Sequence, residues 1–121
     1  MYEVKYYRDD NGYSEIEELI ESLNNQNGKD ARVQLAKIKA YIEMLEKYGK
    51  SLGFPYMRPI IGSKELWELR PLRHRLLFVA WYNNSFVLLT HFIKRTDKTP
   101  KVEIERAERV LRKMKESDCD E

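Results

Sequence analysis

Three runs of β-forming residues follow one another with almost nothing between them: Leu66 to Arg70, Arg73 to Tyr82 and Phe86 to Arg95, separated by Pro71-Leu72 and Asn83-Asn84-Ser85. Connections that short suit hairpins and leave no room for a crossover, so the three runs are predicted to pair antiparallel in succession. The rest of the chain must be built around this meander.

Tyr2 to Tyr7 alternates apolar and charged residues and ends at the turn cluster Asp9-Asp10-Asn11-Gly12, which predicts a first short strand. Ser14 followed by Glu17 has the form of a capping box, and Ile16, Leu19, Ile20 and Leu23 make one apolar stripe at helical spacing. A second helix is predicted from about Asp30 to Tyr48, with Leu35, Ile38, Ile42 and Leu45 buried and Gly49 ending it. Two such helices in succession make an antiparallel hairpin. Ser51 to Gly62, with Pro55 and Pro59, reads as an irregular connection. Thr99 offers an N-cap and Pro100 a first helical position, and Ile104, Ala107, Leu111 and Met114 mark a last helix. The expected fold is therefore α+β, in the order β-α-α-β-β-β-α: an antiparallel β-sheet with an N-terminal helical hairpin and a C-terminal helix. A chain of 121 residues holds one core, so residues 1–121 are taken as a single domain, with 116–121 in the acidic ESDCDE stretch expected to be a disordered tail.

Several classes of chemistry drop out. No stretch is long and apolar enough for a membrane span, and no secretion signal opens the chain. Cys119 is the only cysteine, so neither an intrachain disulfide nor a cysteine-based zinc site can form, and a cytoplasmic location is expected. His74 and His91 lack metal-ligand spacing, and no phosphate-binding glycine loop or nucleophile elbow occurs. Neither metal nor cofactor is expected.

Charge carries the positive signal. Between Tyr56 and Lys101 lie nine Lys or Arg against three acids, whereas the remainder holds 13 basic and 17 acidic residues. A cationic centre of that kind suits a polyanion, phosphate above all. If the last hairpin turns on two residues, Arg73 faces Lys94 and Arg75 faces Phe92; a three-residue loop instead sets Arg73 against Arg95, Arg75 against Ile93 and Leu77 against His91. In both registers Arg73 and Arg75 share a face. A two-residue turn at Pro71-Leu72 would place Glu68 opposite Arg75, so Arg75 is either a cross-strand ion-pair partner or a phosphate clamp. His91 is either a half-buried hydrogen-bonded residue or a general base. Trp67, Trp81, Phe86 and Phe92 either fill the core or stack on bases.

Glu65-Leu66-Trp67-Glu68-Leu69-Arg70-Pro71, Arg73-His74-Arg75-Leu76-Leu77-Phe78-Val79 and His91-Phe92-Ile93-Lys94-Arg95-Thr96-Asp97-Lys98-Thr99-Pro100 come in that order. Together they resemble the phage-derived Gp49-like branch of the RelE/HigB superfamily of bacterial toxins. The resemblance implies a RelE-like, microbial-ribonuclease-type sheet with helices packed on one side. It implies the toxin of a type II toxin–antitoxin system: an mRNA interferase that cuts mRNA on the 70S ribosome by metal-independent attack of the ribose 2′-hydroxyl. By position it assigns Arg75 as phosphate clamp, Arg73 as second clamp, Lys94 as electrostatic stabiliser or general acid and His91 as general base. Arg58, Arg70, Arg95, Lys98 and Lys101 extend the RNA track. It further implies a helix-turn-helix, HigA-like antitoxin in a hetero-oligomer such as a heterotetramer. The first two helices, with Tyr41, Tyr48, Phe54 and Tyr56 nearby, are either its docking surface or ordinary core packing. Competing readings are a ParE-type gyrase inhibitor, against which the basic set argues, and an RNA-binding module that does not cut.

Overall fold

The computed structural model describes residues 1–119. In chain order the elements are β1 (Glu3–Tyr6), α1 (Glu15–Asn24), α2 (Lys29–Tyr48), a 3-10 turn (Gly49–Leu52), β2 (Met57–Pro59), β3 (Trp67–Leu69), β4 (His74–Trp81), β5 (Ser85–Ile93) and α3 (Lys101–Cys119). The local signals in the sequence explain most of these boundaries. Ser14 caps α1 by accepting the Glu17 N–H at 3.2 Å. Gly49 ends α2 at φ 57, and a Cβ there would lie 2.5 Å from the Tyr2 ring, so β1 and the end of α2 meet where only glycine fits.

The five strands form one sheet in the order β1-β5-β4-β3-β2. The α+β expectation holds, but the sheet is mixed, not antiparallel throughout, because β1 joins β5 in parallel after the helical hairpin carries the chain across. The connection from Ser51 to Gly62 also contains β2, which pairs with β3 (Arg58 opposite Glu68) and was too short and proline-broken to show periodicity.

Alternation along β4 and β5 divides two cores. Leu76, Phe78, Phe86 and Leu88 face α1 and α2, packing with Ile16, Leu23, Ile38, Ile42 and Leu45. Leu77, Val79, Val87, Leu89 and Phe92 face α3, packing with Ala107 and Leu111. Helices thus cover both faces, not one as the resemblance implied. Each fully buried Leu or Ile here contributes roughly 1.5–3 kcal/mol relative to exposure. Phe86 and Phe92 are buried in these cores, and Trp67 and Trp81 pack against them partly buried.

Two further differences concern α3. Its first hydrogen bonds run to the Pro100 carbonyl, from Glu103 and Ile104, and the Thr99 hydroxyl is engaged elsewhere and does not cap. The helix also continues through Glu116 to Cys119, where a disordered tail was expected; residues 120–121 lie outside those described. No helix among the described residues is long and apolar enough to cross a membrane.

Candidate functional site

The β4–β5 hairpin decides which cations meet. Trp81 pairs with Ser85, closing a loop of Tyr82, Asn83 and Asn84 in which both asparagines adopt left-handed φ of 57 and 56. A bulge between Leu77 and Phe78 then shifts the register by one, so that Leu77 meets Thr90, Leu76 meets His91 and Arg75 meets Phe92. Beyond the strand end the Lys94 N–H donates to the Arg73 carbonyl at 2.7 Å. The pairing expected from a two-residue turn is reached through a longer loop plus a bulge. Arg73, Arg75 and Lys94 therefore share the α3 face, and His91 does not.

Arg75 is 5 % exposed. Its Nη1 donates to the carbonyls of Leu72 and His74, both at 2.9 Å. Leu72 accepts from it in a left-handed backbone (φ 58) that a leucine rarely adopts, so the turn after Pro71 is shaped around the guanidinium. Burial, then the nearby Arg70 cation, pulls Arg75 below the ordinary arginine value, with Glu68 opposing. No ion pair holds it among the described residues.

Glu68 is not opposite Arg75, because β3 pairs with β4 two residues further along, Glu68 against Leu77. The fully buried carboxylate instead takes Arg58 Nε at 2.7 Å and the Thr99 hydroxyl at 3.0 Å, with Arg70 Nε at 3.3 Å. Arg70 also rests its guanidinium 5.1 Å from the centre of the Phe54 ring. One acid thus anchors two arginines beside a third, and pins the loop that leads into α3. Thr99 in this role was not foreseen; its place directly before Pro100 had marked it as a cap.

Three adjoining clefts follow that loop. One, of about 220 Å³, is lined by Arg73, Arg75, Lys94 and Arg95 with Leu72, Thr96 and Asp97. A constriction of about 10 Å³ between Arg75, Glu68 and Lys98 leads to a second cleft of about 340 Å³, lined by Arg58, Pro59, Ile60, Ile61, Asp97, Lys98 and Thr99. Of the predicted track, Arg58, Arg95 and Lys98 line these clefts directly, Arg70 sits beside them on Glu68, and Lys101 lines none of them. Arg73, Lys94, Arg95 and Lys98 hold no acid among the described residues. A further depression, about 450 Å³ between Tyr7, Trp81 and Met114, takes in none of the predicted site residues.

His91 belongs to a different network, on the α1–α2 face. His74 Nε2 donates to Gln34 Oε1 at 2.7 Å, and the Gln34 amide donates to Asp30 at 2.8 Å. That direction leaves His74 Nδ1 to accept from His91 Nε2 at 2.9 Å, with both rings neutral. Burial and the adjacent His74 push His91 down to about 4; burial and the neighbouring Arg75 cation also lower His74. The backbone of His91 is clamped as well. Where β1 has ended, Glu15 accepts the His91 N–H at 2.7 Å and Arg106 donates to its carbonyl at 2.8 Å, the two side chains being ion-paired at 2.6 Å. Glu15 and Arg106 thereby tie α1 to α3 around the sheet edge, a role invisible in a sequence that separates them by 91 positions.

No curated protein shows significant similarity to the chain. Residues 21–112 match the family described as "Phage derived protein Gp49-like (DUF891)", a stretch that runs from α1 through the cationic clefts to α3. The chain belongs to this phage-derived Gp49-like family, a family of RelE/HigB-type toxins.

Proposed function

We propose that the chain is the toxin of a type II toxin–antitoxin pair and an endoribonuclease that cuts mRNA on the ribosome. One observation carries the reading: Arg73, Arg75 and Lys94 line a single cleft, with no acid paired to any of them among the described residues. A buried guanidinium with like charges for neighbours is stabilised by an anion, and RNA brings a phosphate at every step.

In this reading the free edge of Arg75, whose other edge is fixed by two carbonyls, binds the scissile phosphate together with Arg73. The ribose 2′-hydroxyl gives its proton to water as its oxygen attacks phosphorus, the bond to the 5′-oxygen breaks, and the Lys94 ammonium neutralises the charge and protonates the departing oxygen, leaving a 2′,3′-cyclic phosphate and a neutral Lys94 that takes its proton back from water. Donors fixed before reaction and aimed at developing charge supply the catalysis. His91 has no part, since it faces the other side of the sheet with its Nε2 already bonded. Arg58, Arg95 and Lys98 hold the flanking message. A helix-turn-helix antitoxin with acidic side chains neutralises this surface, and the toxin acts in the cytoplasm, where the ribosomes are.

The test is primer extension on a defined message in a purified translation system, with and without ribosomes. Wild type is expected to cut within A-site codons only when ribosomes are present. Arg75→Ala and Arg73→Ala are each expected to lose about 10²–10³-fold in rate, the scale of removing one transition-state donor. An intact message with wild-type protein would sink the nuclease and turn attention to gyrase or to RNA binding without cutting.

A further inference from the structure

Resting on the nuclease reading, we propose that the cleft beside Ile61 is a nucleobase pocket that selects guanine next to the phosphate held by Arg73, Arg75 and Lys94. The cleft, about 340 Å³, lies within the range of small-ligand sites. Its walls are of two kinds. Pro59, Ile60 and Ile61 are apolar, and Ile61 is 93 % exposed, a large aliphatic side chain at the cleft mouth with no core to fill. Arg58, Lys98 and Asp97 are charged and sit at the side nearest the phosphate cluster.

Asp97 decides the ligand. It is shared by all three clefts, and Glu68, the other acid among their lining residues, is buried and spoken for by Arg58, Arg70 and Thr99. Asp97 is exposed and makes no ion pair among the described residues, although Arg73, Lys94, Arg95 and Lys98 surround it in these clefts. A free carboxylate beside a phosphate site weakens binding unless the ligand also brings hydrogen-bond donors. Guanine does so in the required form, because its N1–H and N2–H groups match the two oxygens of a carboxylate, whereas adenine and the pyrimidines lack that paired edge. The loop is fixed for such a contact: the Lys94 N–H bonds Arg73, the Thr96 hydroxyl donates to the Lys98 carbonyl at 3.0 Å, and Thr99 is fastened to Glu68. Apolar walls then sandwich the base while the cations keep its phosphate.

Isothermal titration of the isolated chain with 3′-GMP, 3′-AMP, 3′-CMP and 3′-UMP, and with inorganic phosphate as the base-free probe, reads this without cleavage or ribosomes. The expected result is 3′-GMP about tenfold tighter than the other three nucleotides, the discrimination of one good bidentate contact. Asp97→Asn removes that preference, and Ile61→Asn, which makes the wall polar without adding charge, brings every nucleotide down to the affinity of phosphate while leaving phosphate itself unchanged. Equal affinity for the four nucleotides, or nucleotides no tighter than phosphate, overturns the pocket. Loss of the nuclease reading would show differently, as an uncut message in the ribosomal assay with the nucleotide preference still present.

Discussion

The same two strands carry a polar cluster on each face, and the two clusters are built on opposite terms. Facing α1 and α2, His74, His91 and Gln34 form a closed relay in which each donor has its acceptor and neither histidine carries charge. Facing α3, Arg58, Arg70, Arg75 and Lys94 gather about one buried carboxylate, and Arg73 lines the adjoining cleft. A satisfied network fixes structure and asks for nothing more; a cluster with surplus cations is stable only with water or an anion on its open side. This contrast supports the proposal that the arginine face is the site and the histidine pair architecture.

The hardest way to break the contrast is to remove the one acid on the cationic face. Glu68→Gln strips the counter-charge from Arg58 and Arg70 inside the protein, and unfolding by urea is expected to show a loss of roughly 3–5 kcal/mol. Millimolar sulfate or phosphate should restore more stability to this variant than to wild type, because an anion takes the place of the lost charge. Equal stabilisation of both proteins would mean that the arginines bind no anion.

Acid tests the other face. His91 is held at about 4 when folded against an ordinary 6.5, so the folded state binds fewer protons than the unfolded chain between those values. Its contribution is fully present above pH 6.5 and is lost as pH falls towards 4, by up to about 3 kcal/mol. Burial sets this direction first; of the charged and titratable groups facing it, His74 and Arg106 also disfavour its cation, while Glu15 favours it. Denaturant unfolding from pH 7 to pH 5 should show the decline, and His91→Gln, which keeps an N–H towards His74, should flatten it. A profile unchanged by that substitution would remove the relay from the account.

How much of this was legible in the sequence follows the range of the forces involved. Capping at Ser14, the stop at Gly49 and the helix stripes are local, and the sequence shows them. The pairing of Arg73 with Lys94 was one of two registers, and a bulge that no residue announces selected it. Alternation alone then places His91 opposite Leu76 on the hairpin face, away from Arg75, although the resemblance had grouped the two in one site. Strand β2 escaped because three residues around a proline carry no period, and with it went the true partner of Glu68, which is Arg58 and not Arg75. The clamp of Glu15 on Arg106 is set by tertiary packing alone.

The smallest stability effect sharpens the comparison most. Lys94 is only partly buried and holds no hydrogen bond or ion pair with its side chain among the described residues, so Lys94→Ala should change unfolding free energy by no more than about 0.5 kcal/mol. Gln34→Ala, by contrast, leaves His74 Nε2 without its acceptor and should cost about 1–2 kcal/mol. Activity is expected to rank the two the other way round. Lys94→Ala should lower message cleavage by one to two orders of magnitude at unchanged melting temperature, and Gln34→Ala should cut at the wild-type rate wherever it is folded. If the two variants instead lose activity in step with stability, the faces are not divided between structure and chemistry, and Lys94 belongs with the scaffold.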